Sequence, residues 1–122
     1  MKKTIFQMTE IKSINNTEHY TWGDNCNGWH LLKTNRLSVI QEEMPSNTSE
    51  QYHFHINSQQ LFYILSGAAT FQIEGQVFVV NKNESIHIPK GIKHCIANKS
   101  KRILKFIVIS EPKSHGDRQN GN

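Results

Sequence analysis

An all-β fold, an antiparallel sandwich or barrel, is predicted by three features of the sequence. From about residue 30 onward, branched and aromatic residues gather in runs of four to eight, with Gly, Asn, Pro or Ser between them. No segment of this part carries a persuasive helical period. At least seven such runs follow one another at short spacing. Closing them into a barrel would remove exposed strand edges and build a concave interior from alternate side chains.

The elements follow in order. Residues 1–36 form an N-terminal arm, in which HYTWGDNCNGWHLL mixes aromatics with Gly, Asp and Asn without a clear period, so an irregular segment with one short strand is expected. Trp22 and Trp29 are costly to leave in water together, which points to the arm packing on the barrel or on a second subunit of a homodimer. The barrel itself is expected over residues 37–110, with strands at 37–44, 51–56, 61–65, 69–73, 76–80, 85–88, 94–97 and 103–110. The segments Pro45-Ser46-Asn47, Ser66-Gly67, Glu74-Gly75, Asn81-Lys82-Asn83 and Pro89-Lys90-Gly91 supply the reversals. Residues 111–122, EPKSHGDRQNGN, are polar and lack a core pattern, so a tail with mobile last residues is expected. Within it, SHGDR reads either as flexible or as a clasp over a neighbouring strand or subunit.

A chain of 122 residues suits one domain with a single core. Apolar runs such as Ile107-Val108-Ile109 are far shorter than the ~18 residues of a membrane span, so no membrane partner is expected. The opening MKKTIFQMTEIKS has two lysines but no continuous apolar segment after them, which speaks against export and for a cytoplasmic location. Cys26 and Cys95 are the only cysteines, without a CxxC pair, and read as reduced thiols. The net charge of +4 is partly concentrated in Lys93, Lys99, Lys101, Arg102 and Lys105. No groove-reading motif accompanies these residues, so they are read as a solvated flank and not as a nucleic-acid surface.

His53 and His55 carry the first chemical signal. Residues i and i+2 of a strand point to one face, so two imidazoles enter one cavity side by side. Two ligands rarely retain a metal, and further donors are sought among Gln59, Gln60, His87, His94 and Cys95. The segment NESIHIPKGIKHCIAN, residues 83–98, supplies a strand, a Pro-x-Gly turn and then His94, placed to face the first pair across a barrel.

With these two segments the chain resembles the cupin superfamily, specifically its small single-domain members. The first cupin motif, G-x5-HxH-x3,4-E-x6-G, is met by His53, His55 and Gly67, with Gln60 in the glutamate slot and Asn47 in the opening glycine slot. The second, G-x5-PxG-x2-H-x3-N, is met by Pro89, Gly91, His94 and Asn98, with Asn83 opening it. Asn tolerates the left-handed backbone that such glycines adopt. The resemblance implies a double-stranded β-helix of the jelly-roll type, with one divalent transition metal (Fe, Mn, Ni or Zn) held by His53, His55, Gln60 and His94. Glutamine offers a carbonyl oxygen without charge, so weaker metal binding and an oxygen-rich small-molecule ligand are expected. The implied activities are those of a metal-dependent dioxygenase, isomerase or lyase, or else a non-catalytic small-molecule or carbohydrate binding module.

The remaining polar residues are assigned by alternation. His87 and Cys95 should face away from the core, Phe62 and Tyr63 should pack unless one of them lines the pocket, and His19, His30 and His115 should lie at the surface. Glu42, Glu43 and Glu50 read as solvated, although an inward one would be the general base that Gln60 cannot be.

Overall fold

A computed structural model describes residues 9–121. The expected reading of the first residues against export falls mainly on 1–8, outside the described residues. Among the described residues the strands are β1 (His19–Trp22), β2 (Cys26–Lys33), β3 (Ser38–Met44), β4 (Thr48–Ser49), β5 (His53–His55), β6 (Gln59–Ser66), β7 (Ala68–Ile73), β8 (Gln76–Asn81), β9 (Ser85–Ile88), β10 (His94–Asn98), β11 (Leu104–Glu111) and β12 (Arg118–Asn120). They form two antiparallel sheets, ordered β1-β2-β3-β11-β6-β9 and β12-β5-β10-β7-β8, with β4 also on β10. This is the all-β double-stranded β-helix expected. Among the described residues no helix is long and apolar enough to cross a membrane.

Alternation sorts the interior. On β3, Ser38, Ile40 and Met44 turn inward, on β6 Gln60, Phe62 and Ile64, on β10 His94, Ile96 and Asn98, and on β11 Leu104, Phe106, Val108 and Ser110. Because β6 and β11 run antiparallel with Gln60 opposite Ser110, their polar ends meet at one end of the barrel and their apolar ends at the other. Phe62 lies between the two, its ring 5.0 Å from Phe71, 5.8 Å from Phe106 and 6.4 Å from His94.

The turns obey their residues. Glu74 and Gly75 both have positive φ (47° and 81°), the pattern of a two-residue hairpin turn between β7 and β8. Asn47 and Asn83 have φ of 63° and 67°. These left-handed conformations are the reason the two asparagines can stand in the glycine slots of the motifs.

The ends of the chain differ from the expectation. The arm holds two strands instead of one, and β2 pairs with β3 along its length as part of the barrel sheet. Its inward residues are Cys26, Gly28 and His30, too small or too polar to give an apolar alternation that sequence would reveal. Gly28 makes room there for Tyr20: a Cβ at this position would overlap the end of its ring unless the ring moved. The tail does not simply trail off. Arg118–Asn120 pairs with β5, and the Gly121 N–H donates to the Tyr52 carbonyl at 3.0 Å. The clasp reading of SHGDR is realised within the chain, since Asp117 Oδ2 accepts from the backbone N–H groups of Asn57 (2.8 Å) and Ser58 (2.9 Å). Cys26 and Cys95 are both free thiols.

Asn98, fully buried, ties the apolar end together. Its Nδ2 donates to the carbonyls of Met44 (2.9 Å) and Arg102 (2.7 Å), while its Oδ1 accepts from Ser100 N–H (3.0 Å) and Oγ (2.8 Å). Asn98→Ala removes the buried donor to the Met44 and Arg102 carbonyls and the acceptor for Ser100, and urea unfolding should show a loss of about 2–4 kcal/mol. A loss below about 0.5 kcal/mol would mean that these carbonyls find other partners.

Candidate metal centre

The short strand β5 places His53 and His55 on the inner face with Phe54 between them on the other. Directly across the sheet, His94 of β10 pairs with His53. The three imidazoles are buried, and their ligand atoms lie within 4.8 Å of one another. Ring centroids are 4.4 Å apart for His53 and His94, 5.0 Å for His53 and His55 and 5.8 Å for His55 and His94.

Backbone carbonyls orient two of the rings. His53 Nδ1 donates to the Gln51 carbonyl and His94 Nδ1 to the Ile92 carbonyl, both at 2.8 Å. A carbonyl only accepts, so the proton sits on Nδ1 and each Nε2 keeps its lone pair. The third ring has an orphan, since His55 Nδ1 is buried without a hydrogen-bond partner. Burial holds the His53 pKa down to about 3 and the His55 pKa to about 4, with His94 as a further cause for both, and burial lowers that of His94 as well. All three are neutral imidazoles at neutral pH.

Gln60 enters the same cluster. It is buried, its Oε1 lies 3.2 Å from His94 Nε2, and its Nε2 donates to Ser110 Oγ at 3.0 Å. In this orientation two acceptors face each other, an arrangement that a cation between them would relieve. Turning the amide over would instead let it donate to His94 and accept from the Ser110 hydroxyl. The donor set of three neutral imidazoles and one amide oxygen fits a divalent transition ion, which takes imidazole nitrogens at about 2.0–2.1 Å in the case of zinc. Ser110 is the partner that sequence reasoning missed, although it shares the inward alternation of Leu104, Phe106 and Val108.

The other candidates lie apart. His87 is exposed, its Nε2 2.9 Å from Gln59 Oε1 on the outer face, and Cys95 alternates away from His94. Tyr63 is exposed, whereas Phe62 both packs and borders the site. His30, expected at the surface, is only 6% exposed, because β2 turns it inward against Tyr20 and His115.

A cavity of about 340 Å³ opens above the imidazoles, and Tyr20, Glu42, Glu50 and Arg118 line it together with His53, His55 and Gln60. Glu42 and Glu50 are therefore inward carboxyls and not solvated ones. Glu42 alternates with Ile40 and Met44 on β3, a signal present in the sequence. Burial pushes its pKa up to about 7 against the lowering effects of the Tyr20 hydroxyl, which donates to Glu42 Oε2, and of Arg118. Burial likewise raises Glu50 to about 8, opposed by Arg118, whose Nη1 is 4.0 Å from Glu50 Oε2. Burial, with Glu42 beside it, keeps the Tyr20 hydroxyl protonated far above the ordinary phenol range.

These strands and this cluster define a double-stranded β-helix with a three-histidine centre at its open end. The family model described as the cupin domain matches residues 40–110, and the chain belongs to this family. It is similar to a mannose-1-phosphate guanylyltransferase of Salmonella montevideo, 33% identical over an alignment of 109 residues that covers 82% of this chain and 22% of that protein. The chain thus spans about a fifth of that relative's length. It is also similar to an uncharacterized protein of Methanocaldococcus jannaschii, 29% identical over 74% of this chain and 73% of that one. Among solved structures, the polyketide cyclase RemF from Streptomyces resistomycificus superposes with a TM-score of 0.80 at 18% identity, covering 94% of this chain and 87% of that one. That likeness is one of fold.

Glu42 makes a pH prediction. Its unfolded carboxyl ionises near 4.5 and the folded one near 7, so its favourable contribution is complete below about pH 4.5 and is lost as the pH rises through 7. The three lowered imidazoles act in the opposite direction up to their ordinary value of 6.5, so the test is a difference. Relative to Glu42→Gln, the wild type should lose on the order of 1–3 kcal/mol between about pH 5 and pH 8 in urea unfolding. Parallel pH profiles for the two proteins would contradict the buried, protonated Glu42.

Proposed function

We propose that the chain is a metal-dependent cupin enzyme that moves protons on a small polyoxygenated molecule, an isomerase or a lyase in reaction type. The observation that carries this reading is the sharing of one cavity by His53 and His55 of the three-histidine cluster and two inward carboxyls, Glu42 and Glu50, whose pKa values lie near neutrality. Such carboxyls can give or take a proton at neutral pH, which proton transfer needs and a purely oxidative reaction does not. His53, His55, His94 and the Gln60 carbonyl would hold the ion, the four ligands that the motifs suggest. A divalent Fe, Mn, Ni or Zn ion there would supply Lewis-acid polarisation of substrate oxygens.

The protein groups divide the remaining work. Gln60 brings no negative charge, which favours a ligand that brings its own oxygens. Tyr20 orients the Glu42 carboxyl through its hydroxyl, and Arg118, reaching in from β12, offers a cation to a substrate oxygen. The cavity volume of about 340 Å³ suits a molecule of sugar size. The likeness to guanylyltransferases named for mannose 1-phosphate supports a carbohydrate-like substrate.

Protein purified without added metal and then reconstituted should take up about one equivalent of one of these ions, and His94→Ala should lose it while keeping the wild-type circular dichroism spectrum. Uptake below about a tenth of an equivalent with every ion would leave a binding module without a metal. With a panel of aldoses, ketoses and sugar acids in deuterated water, the loaded enzyme should place solvent deuterium on carbon without consuming oxygen. Glu42→Gln should slow that exchange by roughly 10²–10⁴-fold at unchanged metal content. Oxygen uptake in place of exchange would overturn the proton-transfer reading in favour of a dioxygenase.

A further inference from the structure

We propose that a second pocket, bordered by His30, Lys33, Lys113 and His115, binds a phosphate group and seats the phosphomonoester tail of a substrate whose polyhydroxylated body enters the barrel cavity. The substrate part rests on the proton-transfer reading above, while the anion site stands on its own geometry. The pocket has a volume of about 260 Å³. His115 lines both it and the barrel cavity, so the two adjoin.

Its chemistry is that of an anion site. Lys33, Lys113, His30, His115 and Ser38 are among the residues that line it, and none of the lining residues carries a carboxylate. Ammonium and imidazole N–H groups give a phosphate the charge-assisted hydrogen bonds that outlast competition from water. The placement is built into the fold. Lys33 ends β2, and the Lys113 backbone N–H donates to the Asn35 carbonyl at 3.1 Å, bringing the segment after β11 onto the β2–β3 turn. His30 is 94% buried by its 6% exposure, and its Nδ1 has no hydrogen-bond partner. A buried, unpartnered imidazole nitrogen is costly in a protein without some compensating use.

The chain's own carboxylate already marks the attraction. Glu18, at the rim, lies 3.2 Å from Lys33 Nζ and 3.9 Å from His30 Nε2. Lys33, chiefly through its hydrogen bond, holds the Glu18 carboxyl below its ordinary pKa. Both partners of that ion pair are more than half exposed, so it is a weak surface pair that a dianion can displace. Glu18 then competes with the incoming phosphate.

The test uses the full chain without metal, so it reads the anion site independently of the metal centre. Inorganic phosphate is titrated and followed by amide NMR, and then glucose 6-phosphate and glucose. Phosphate should shift Lys33, Lys113 and His115 saturably. The double variant Lys33→Gln/Lys113→Gln should weaken binding at least about tenfold, and Glu18→Gln should strengthen it, each with an unchanged thermal midpoint. Glucose 6-phosphate should compete with phosphate and also shift His53 and His55, whereas glucose should not compete. Absent saturation, shifts confined to other surfaces, or indifference to the lysine pair would overturn the anion site. Phosphate binding with no response of His53 and His55 to glucose 6-phosphate would overturn its role as a substrate tail site.

Discussion

A strand of three residues is the constraint on which the site depends. His53, Phe54 and His55 form too short a segment to hold two imidazoles in register unless both of its edges are occupied. β10 occupies one edge and β12 the other. The second motif reaches this strand twice. His94 stands opposite His53, and the Gly91 N–H, at a backbone φ of 79°, donates to the His55 carbonyl at 2.7 Å. The Pro-x-Gly turn therefore positions one imidazole of the cluster and also pins the strand that carries the other two. The tail completes the same strand from the far side, with Asp117 capping the turn that follows it.

The interior is divided along its length, and the division explains the electrostatics. Phe71 and Phe106 pack towards the apolar end against Phe62, which separates it from the site, and dense packing there stabilises the fold. At the other end, three imidazoles, a glutamine and a serine are buried, and two inward, largely covered carboxyls face the same cavity. Burying such groups costs stability unless they are neutral or paired. Their pKa values move accordingly, down for His53, His55 and His94 and up for Glu42 and Glu50, so that every one of them tends to its uncharged form. The displacement that relieves the cost of burial also brings the two carboxyls near neutrality, where they can exchange protons.

Much of this was legible in the sequence because strand alternation is simple. The strands from β3 to β11 fall within a residue or two of their expected bounds, except that β5 is shorter and β4 was not foreseen. The clustering of His53, His55, Gln60 and His94 follows from period-two alternation and the two motifs. Asn47 and Asn83 matched their slots because the backbone there is left-handed, which Asn tolerates. What was hidden has a physical cause in each case. β2 points Cys26, Gly28 and His30 inward, so no apolar stripe announced it. β12 is a polar strand, Arg-Gln-Asn, recognisable only by its partner β5. His30 seemed a surface residue because its burial depends on the unrecognised β2. Glu42 was different, since Ile40 and Met44 on either side already placed it on the inner face, and charge alone argued for solvent.

X-ray absorption at the edge of the bound ion, recorded on reconstituted protein, tests the central claim most directly, because it counts the imidazoles at the ion. Three imidazole nitrogens are expected, with the remaining donors oxygen. Gln60→Leu should lose one oxygen at an unchanged imidazole count. Fewer than three imidazoles, or a sulfur ligand from Cys95, would contradict that claim.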